Sequence, residues 1–552
     1  MKRFNEKVFI GFIGFIGFMG FIGFAVVVTF FIVCNTFGKK TDKVINNNSD
    51  GQGWKADTTP ITFDWYIDFS WFTTKWGTNP VSKYVTEKTG VNLNFIIPSG
   101  DETEKLNAMI ETGKLPDFIT LSAGDDGYKR VIQSGLALPL DKLADKYDVY
   151  FTKVADKEKL NWYKQDDGHV YCYPNFSSTV TNADYKEEKP SNQTFLVRKD
   201  IYEAIGKPDM RTPEGFLSAL EKAKKLFPMV NGQDLIPIGF HEFTDYGNLS
   251  LGTILLDFLA VPWEKDGKIY DREMDPEYIR WLKTLREANE RGLLSKDIFI
   301  DKRAQMEENV TEGRYFALLY QSSDMAAQQL KLYSKNKNQI YMAVDGPANS
   351  KLEQPKLAGD SISGWTVTLI SKTCKDPQRA IRFLSYLISE EGNRDLYLGV
   401  KGLTWDEVNG KEQFKPEVLD LLNKDRIAFD NKYGAANTYW MLADDNLQEK
   451  WTPPNAEPIK EISDWASGKT YNYSLFDDIS PYGSTEEGMN LYKINTKWQS
   501  TLKNLLIAGS DSEFDSILKD FTTYRSENGW DKIQEYKQRR YEENKKKLNL
   551  VK

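Results

Sequence analysis

Apolar and polar positions divide this chain into three stretches of different texture. From Val8 to Val33 there is no charged residue, with Lys2, Arg3 and Lys7 ahead of the run and Cys34, Lys39, Lys40 and Lys43 close behind it. As a helix rising ~1.5 Å per residue the run would be about 39 Å long, against a hydrocarbon core of roughly 30 Å, so it is long enough to span a bilayer. Its basic flank should stay in the cytoplasm, which puts the rest of the chain on the outer side. Two readings fit residues 1–33: a cleaved secretory signal peptide or an uncleaved membrane anchor. Residues 34–57 are polar, with Asn46, Asn47, Asn48, Ser49, Asp50, Gly51, Gln52 and Gly53 in a row, and read as a flexible tether.

From residue 58 the texture becomes an alternation of short strands and capped helices. Ile61 to Tyr66 reads as a buried strand. Asn79 then caps a helix that has Pro80 in its first turn, Val81, Tyr84 and Val85 on one face and Gly90 as its stop. Val91, Leu93, Phe95 and Ile97 form the next strand, Leu106, Met109 and Ile110 the apolar face of a second helix ended by Gly113, and Phe118 to Leu121 a third strand. This order predicts an α/β layer with a parallel sheet. Thr212-Pro213, Asp275-Pro276 and Asp376-Pro377 start further helices by the same chemistry, the last carrying Ala380, Ile381, Phe383, Leu384 and Leu387.

Charge and rare residues narrow the function. The 552 residues carry a net charge of −8 and the N-terminal segment itself is +2, so residues 34–552 stand at −10. A protein this acidic has no basic excess with which to release phosphate counterions, which argues against nucleic acid as a partner. His169 and His241 are the only histidines, and no pair of ligands stands at zinc-site spacing. Of the three cysteines, Cys172 and Cys374 could form a disulfide in an oxidising exterior.

Several phrases, weak singly, recur here in a telling order. They are Trp76-Gly77-Thr78-Asn79-Pro80, Gly113-Lys114-Leu115-Pro116-Asp117, Asp167-Gly168-His169-Val170-Tyr171 leading to Pro174, and Phe195-Leu196-Val197-Arg198-Lys199-Asp200. Gly364-Trp365-Thr366-Val367, Gly399-Val400-Lys401-Gly402 and a C-terminal run from Trp498 through Ile507-Ala508-Gly509 to Gly529 follow. In these the chain resembles the bacterial extracellular solute-binding proteins of carbohydrate-uptake ABC transporters, especially the long lipoprotein branch of Gram-positive bacteria. The resemblance implies a two-lobed α/β fold of the periplasmic-binding-protein-like type II class, closing by a hinge over a ligand in the interlobe cleft. It places lobe one at residues 58–178 plus 364–400 and lobe two at 179–363 plus 401–552. Asp167 to Pro174 would be the first crossing between lobes and Gly364 to Ile370 the return. It implies no enzyme activity and no cofactor, a monomer that captures an oligosaccharide and delivers it to the permease subunits of an ABC importer, and a location at the outer face of the cell membrane. Cys34, directly after the apolar run, resembles the lipidated cysteine of a lipobox, although Phe31, Ile32 and Val33 depart from the usual Leu and small residues.

A sugar site needs flat aromatic faces and hydrogen-bonding side chains at fixed angles, and 13% of this chain is aromatic, with 14 tryptophans. Trp365, at the mouth of the returning strand, is the foremost candidate. Trp71 and Trp76 lie in the polar loop after the first strand, at the carboxyl end where open α/β sheets receive ligands. Tyr173 at the crossing, Tyr320 with Gln321 after the strand Phe316 to Leu319, and Trp440 beside Tyr439 at the far end of a long cleft come next. For each aromatic the competing reading is a core residue. Asp126 could accept hydrogen bonds from hydroxyls, as could Asp117, for which a structural cap is favoured. Arg198 could grip an acidic sugar carboxylate or pair internally. Where long relatives carry a calcium loop after the Thr-Pro helix, Phe227 to Pro237 has Asp234 as its one carboxylate, too few anionic oxygens for a hard cation, so no metal is expected.

Two other classes stay open. A secreted glycan-active enzyme would need two carboxylates about 5–10 Å apart across a sugar bond. A ligand-sensing surface lipoprotein would use the same fold to signal to a membrane sensor.

Overall fold

A computed structural model describes residues 51–99, 102–179, 189–244, 247–483 and 485–549. The apolar run, Cys34 and the tether up to residue 50 lie outside the described residues. Among the described residues no helix is long and apolar enough to cross a membrane.

The local chemistry read from the sequence is carried out at the first helix, Pro80–Thr89. The Asn79 side chain accepts from the Ser82 N–H, Pro80 occupies the first turn, and Gly90 ends the helix at φ 72°. Three strands, Ile61–Ile67, Val91–Ile96 and Phe118–Ser122, run parallel as that alternation predicts, with Ile61–Ile67 in the middle. Thr366–Ile370 extends this sheet antiparallel to Phe118–Ser122, and Cys172–Pro174 forms its edge. Because side chains alternate along a strand, Phe63, Trp65 and Ile67 pack into one core with the helix Pro377–Ile388, while Tyr66 enters the core on the opposite face with Ile119, Leu121, Val367 and Leu369. The sheet is therefore buried on both sides, the usual condition of a parallel sheet.

A second sheet of four strands forms the other lobe, in the order Tyr341–Ala343, Gln193–Arg198, Tyr315–Gln321, Ile236–Gly239. Its last pair is parallel and the other two are antiparallel. Phe195, Val197, Ile238 and Leu319 face the large core that also takes Trp281 and the C-terminal Leu502, Leu505, Phe514 and Phe521, while Leu196, Leu318 and Tyr320 face a smaller one.

We place the passage between lobes at 175–179 and 360–365, which run side by side: the Ser178 N–H donates to the Ser361 carbonyl at 2.9 Å and the Ser177 hydroxyl to that of Ile362 at 2.5 Å. This lies after the expected first crossing. The Asp167 turn stays in the first lobe, where His169 meets Asp141 at 2.7 Å, and Cys172–Pro174 is a sheet strand because its backbone pairs with Thr366–Ile370. The packing also departs from an outer limit at residue 401. Trp405, Phe414, Val418, Phe429, Tyr439, Trp440 and Trp451 all bury in the first-lobe core, and we therefore place the passage to the second lobe after Trp451. At the other end, the helix Trp530–Lys547 reaches back to the first lobe, where the Lys547 ammonium donates to the Trp162 carbonyl at 3.1 Å. Cys172 and Cys374 are both buried free thiols in cores on opposite faces of the first sheet, so no disulfide joins them.

Candidate functional site

The loop Asp68 to Phe72 follows the strand Ile61–Ile67 of the first sheet, and the returning segment brings Trp365 beside it. Two contacts hold Trp365 there: its N–H donates to the Asn175 carbonyl at 3.3 Å, and its carbonyl accepts from the Ala123 N–H at 2.9 Å. Gly364 is required at the turn. Its φ is +69°, and a Cβ would stand 2.1 Å from the Asn175 oxygen. The Asn175 side chain locks the corner, accepting from the Thr366 N–H at 2.7 Å and donating to the Trp440 carbonyl at 3.0 Å.

These constraints assemble an aromatic platform. Trp71 stacks on Trp365 with ring centroids 5.9 Å apart and planes 12° from parallel, and on Trp440 at 5.8 Å and 28°. Trp365 and Trp440 are 4.5 Å apart. Phe69 touches all three rings, and Phe176 closes the side toward the hinge. Trp440 is 7% exposed, but Trp71 and Trp365 are 43% and 40% exposed, so both indoles keep apolar surface open to solvent at the carboxyl end of the sheet. The Trp440 Nε1 is a buried donor without a partner among the described residues.

The second lobe supplies a polar wall. Arg303 reaches over Trp71, its guanidinium carbon 5.8 Å from the ring centroid. Arg303 is itself held by Glu307 at 2.9 Å and Asp324 at 3.4 Å. Asp324 meets His241 Nε2 at 3.2 Å, and the His241 ring lies flat on Tyr320, 3.8 Å between centroids. Burial works against the Asp324 charge, but the His241 hydrogen bond and the Arg303 charge outweigh it and hold its pKa below the usual carboxylate value. Gln321 stands at the end of the same strand and donates to the Asn192 side chain at 3.4 Å.

On the first-lobe side the rim is acidic. Asp68 accepts from the Tyr66 hydroxyl at 2.5 Å, Glu102 from the Ser70 N–H at 2.6 Å, and Asp126 pairs with Arg130 at 3.1 Å. Burial, with the neighbouring charges of Glu102 and Asp125, pushes Asp68 up to about 7 against the Tyr66 and Arg130 contacts. Desolvation by the surrounding protein, opposed by a Ser122 hydrogen bond and aided by the Asp126 charge, also raises Asp125.

Of the residues expected from sequence, Trp71, Trp365 and Trp440 thus meet in one platform, Asp126 lies in the adjoining loop, and Gln321 ends the strand on the opposite wall, whereas Tyr320 is buried in the smaller core beneath the His241 ring. The others are set into the framework. Trp76 is buried, donating from Nε1 to the Thr86 hydroxyl at 2.8 Å. Tyr173 is buried under Phe151, its hydroxyl accepting the Asp156 N–H at 3.0 Å. Arg198 pairs with Asp200 at 2.8 Å and donates to the Gly313 carbonyl, so its fork is consumed internally. Asp117 accepts from the backbone of Asp64 and Lys375, both at 2.8 Å, as a cap does. Phe69, Asp68, Phe176, His241, Arg303 and Asp324 stand around the same platform and are not among the residues the sequence points to. Asp68 and Phe69 had a signal, their place beside Trp71 in the same loop; Arg303 and Asp324 had none.

The segment Phe227 to Pro237, where no calcium is expected, is a tight hairpin, Met229–Val230 paired with Gln233–Asp234, with Asn231 and Gly232 at φ 50° and 79°. Among the described residues no group of three or more His, Cys, Asp or Glu side chains could hold a metal ion.

The geometry has clear relatives. The chain is 28% identical over 226 residues to the fructooligosaccharide ABC transporter substrate-binding protein FusA of Streptococcus pneumoniae serotype 4 (strain ATCC BAA-334 / TIGR4), covering 39% of this chain and 41% of that one. It is 22% identical over 348 residues to the lipoprotein LipO of Bacillus subtilis (strain 168), covering 60% and 65%. The matches thus span less than two thirds of either relative's length. Among solved structures, the alginate-binding protein AlgQ2 without calcium ion superposes at a TM-score of 0.66 with 18% identity, over 88% of this chain and 98% of that one. FusA in complex with kestose superposes at 0.60 with 18% identity, over 88% and 99%. Both structures have the two-lobed solute-binding fold. The family model for bacterial extracellular solute-binding proteins matches residues 81–404, more than half of the chain, and the protein belongs to that family.

Proposed function

We propose that this protein is the extracellular receptor of an ABC importer, holding an oligosaccharide in the cleft between its lobes and delivering it to a membrane permease. The carrying observation is the platform of Trp71, Trp365 and Trp440, whose two exposed indoles offer the flat apolar faces that pyranose and furanose rings bury. The donors and acceptors around it, Arg303, Gln321, Asp68 and Asp126, suit the hydroxyl rim of a sugar. A transporter receptor for fructooligosaccharides is among its relatives, which supports the same ligand class. The role is binding and not catalysis, and the receptor works as a monomer. Lipidation at Cys34 would hold it at the membrane, in keeping with a lipoprotein relative.

The test is a thermal-shift screen of the purified protein against a panel of neutral and acidic oligosaccharides, followed by titration of tryptophan fluorescence. A ligand that binds the folded state alone raises stability by about 2.7 kcal/mol at a hundredfold excess over Kd. Unchanged glycan length after incubation is the expected result. Failure of every glycan to shift the melting temperature, or the appearance of shortened products, would count against the proposal.

A further inference from the structure

The acidic rim bears on which sugars the cleft admits. Asp68, Glu102, Asp125 and Asp126 converge on the two loops that flank Trp365: Asp68 directly precedes Phe69, whose ring is 5.2 Å from Trp365, and Gly124 to Asp126 continue from Ala123, which is bonded to the Trp365 carbonyl. These carboxylates already oppose one another, since Glu102 and Asp125 both disfavour the charged form of Asp68 and Asp126 disfavours that of Asp125. Arg130 and Arg303, two cations close to the platform, are already paired. Arg130 is engaged by Asp126 and the Asn107 side chain, and Arg303 by Glu307 and Asp324.

We infer that the cleft takes neutral oligosaccharides and rejects those bearing carboxylate or sulfate groups, with Asp68 and Asp125 as the residues that discriminate. A hydroxyl can donate to a carboxylate, so a neutral sugar turns the rim into a set of acceptors. A uronate brought to the same place adds an anion beside several others in a site from which binding expels water, where like charges repel most strongly. This inference rests on the oligosaccharide reading above.

Titrations of tryptophan fluorescence would compare neutral manno-, malto- and fructo-oligosaccharides of three to five units with oligogalacturonates and oligomannuronates of the same lengths, at pH 7.5 and low salt. The expected result is binding by at least one neutral series and affinities at least 100-fold weaker for every acidic one. Tighter binding of a uronate series would overturn the charge selection and leave the receptor reading standing. Binding by neither series would overturn both. Asp68→Asn and Asp125→Asn, checked for folding by circular dichroism, should each narrow the neutral-to-acidic ratio at least 10-fold. An unchanged ratio in folded variants would remove these two residues as its cause.

Discussion

Arg303 stands over Trp71 across the cleft, its guanidinium carbon 5.8 Å from the ring centroid, so a side chain of the second lobe rests on the aromatic platform of the first. A cation above an indole face is attracted by about 0.5–2 kcal/mol, more as water is excluded. The same contact links the two lobes beside the proposed sugar surface.

Arg303→Ala should therefore lower glycan affinity by roughly 2- to 30-fold, the equivalent of that range, and expand the ligand-free protein. Small-angle scattering and titration on the same sample check it. An unchanged radius with unchanged affinity would show that the contact closes nothing.

Trp365→Ala and Trp71→Ala should each weaken glycan binding by about 2–4 kcal/mol, as removal of an interface anchor does, with little change in melting temperature because both rings are partly exposed. Trp440→Ala removes a buried ring packed on Phe69, Phe72, Trp71 and Trp365 and should cost about 3–5 kcal/mol of stability. Melting temperature and affinity measured for all three separate the roles; normal binding by a folded Trp365→Ala protein would take Trp365 out of the site.

The hinge should make stability pH-dependent. Asp477 accepts from the Ser363 hydroxyl at 2.6 Å, and burial pushes its carboxyl up to about 7 despite that bond. Because the folded state then holds a proton that the unfolded chain releases near pH 4, this group's contribution is fully present below that value. It is lost as pH rises toward 7 and beyond, by on the order of 4 kcal/mol in the limit. Asp477→Asn should flatten the fall between pH 4 and 8. Parallel denaturant titrations of the two proteins would refute this if their stabilities kept a constant difference.

Anchoring is tested through Cys34, which lies outside the described residues. Cys34→Ala should release the protein from the membrane fraction into the medium. Retention with residues 1–33 intact would identify an uncleaved anchor instead.

Chelation addresses the Phe227 to Pro237 hairpin, whose one carboxylate is too few for calcium. EDTA should shift neither melting temperature nor glycan affinity. A drop of several degrees would place a cation somewhere in the fold.

The sequence by itself determined what is local. The Asn79 cap, the Gly90 stop, the three parallel strands and the Thr212, Asp275 and Asp376 caps all follow from side chains acting on backbone within a few residues, and the structure has them where that chemistry puts them. Only the tertiary structure decided which tryptophans share a surface. Trp71 lies 294 positions before Trp365 and Trp365 lies 75 before Trp440, and a polar flank marks an indole as near a turn without saying whether its face is covered. Trp76 shows the difference: five residues from Trp71 and in the same loop, it is capped by Thr86, Phe95 and Tyr439. Arg198 and Arg303 make the same point for charge, because whether a guanidinium faces its own lobe or the opposite one depends on the relative placement of two separately built sheets. Burial and pairing across that distance are properties of the packed chain, and no periodicity along the sequence encodes them.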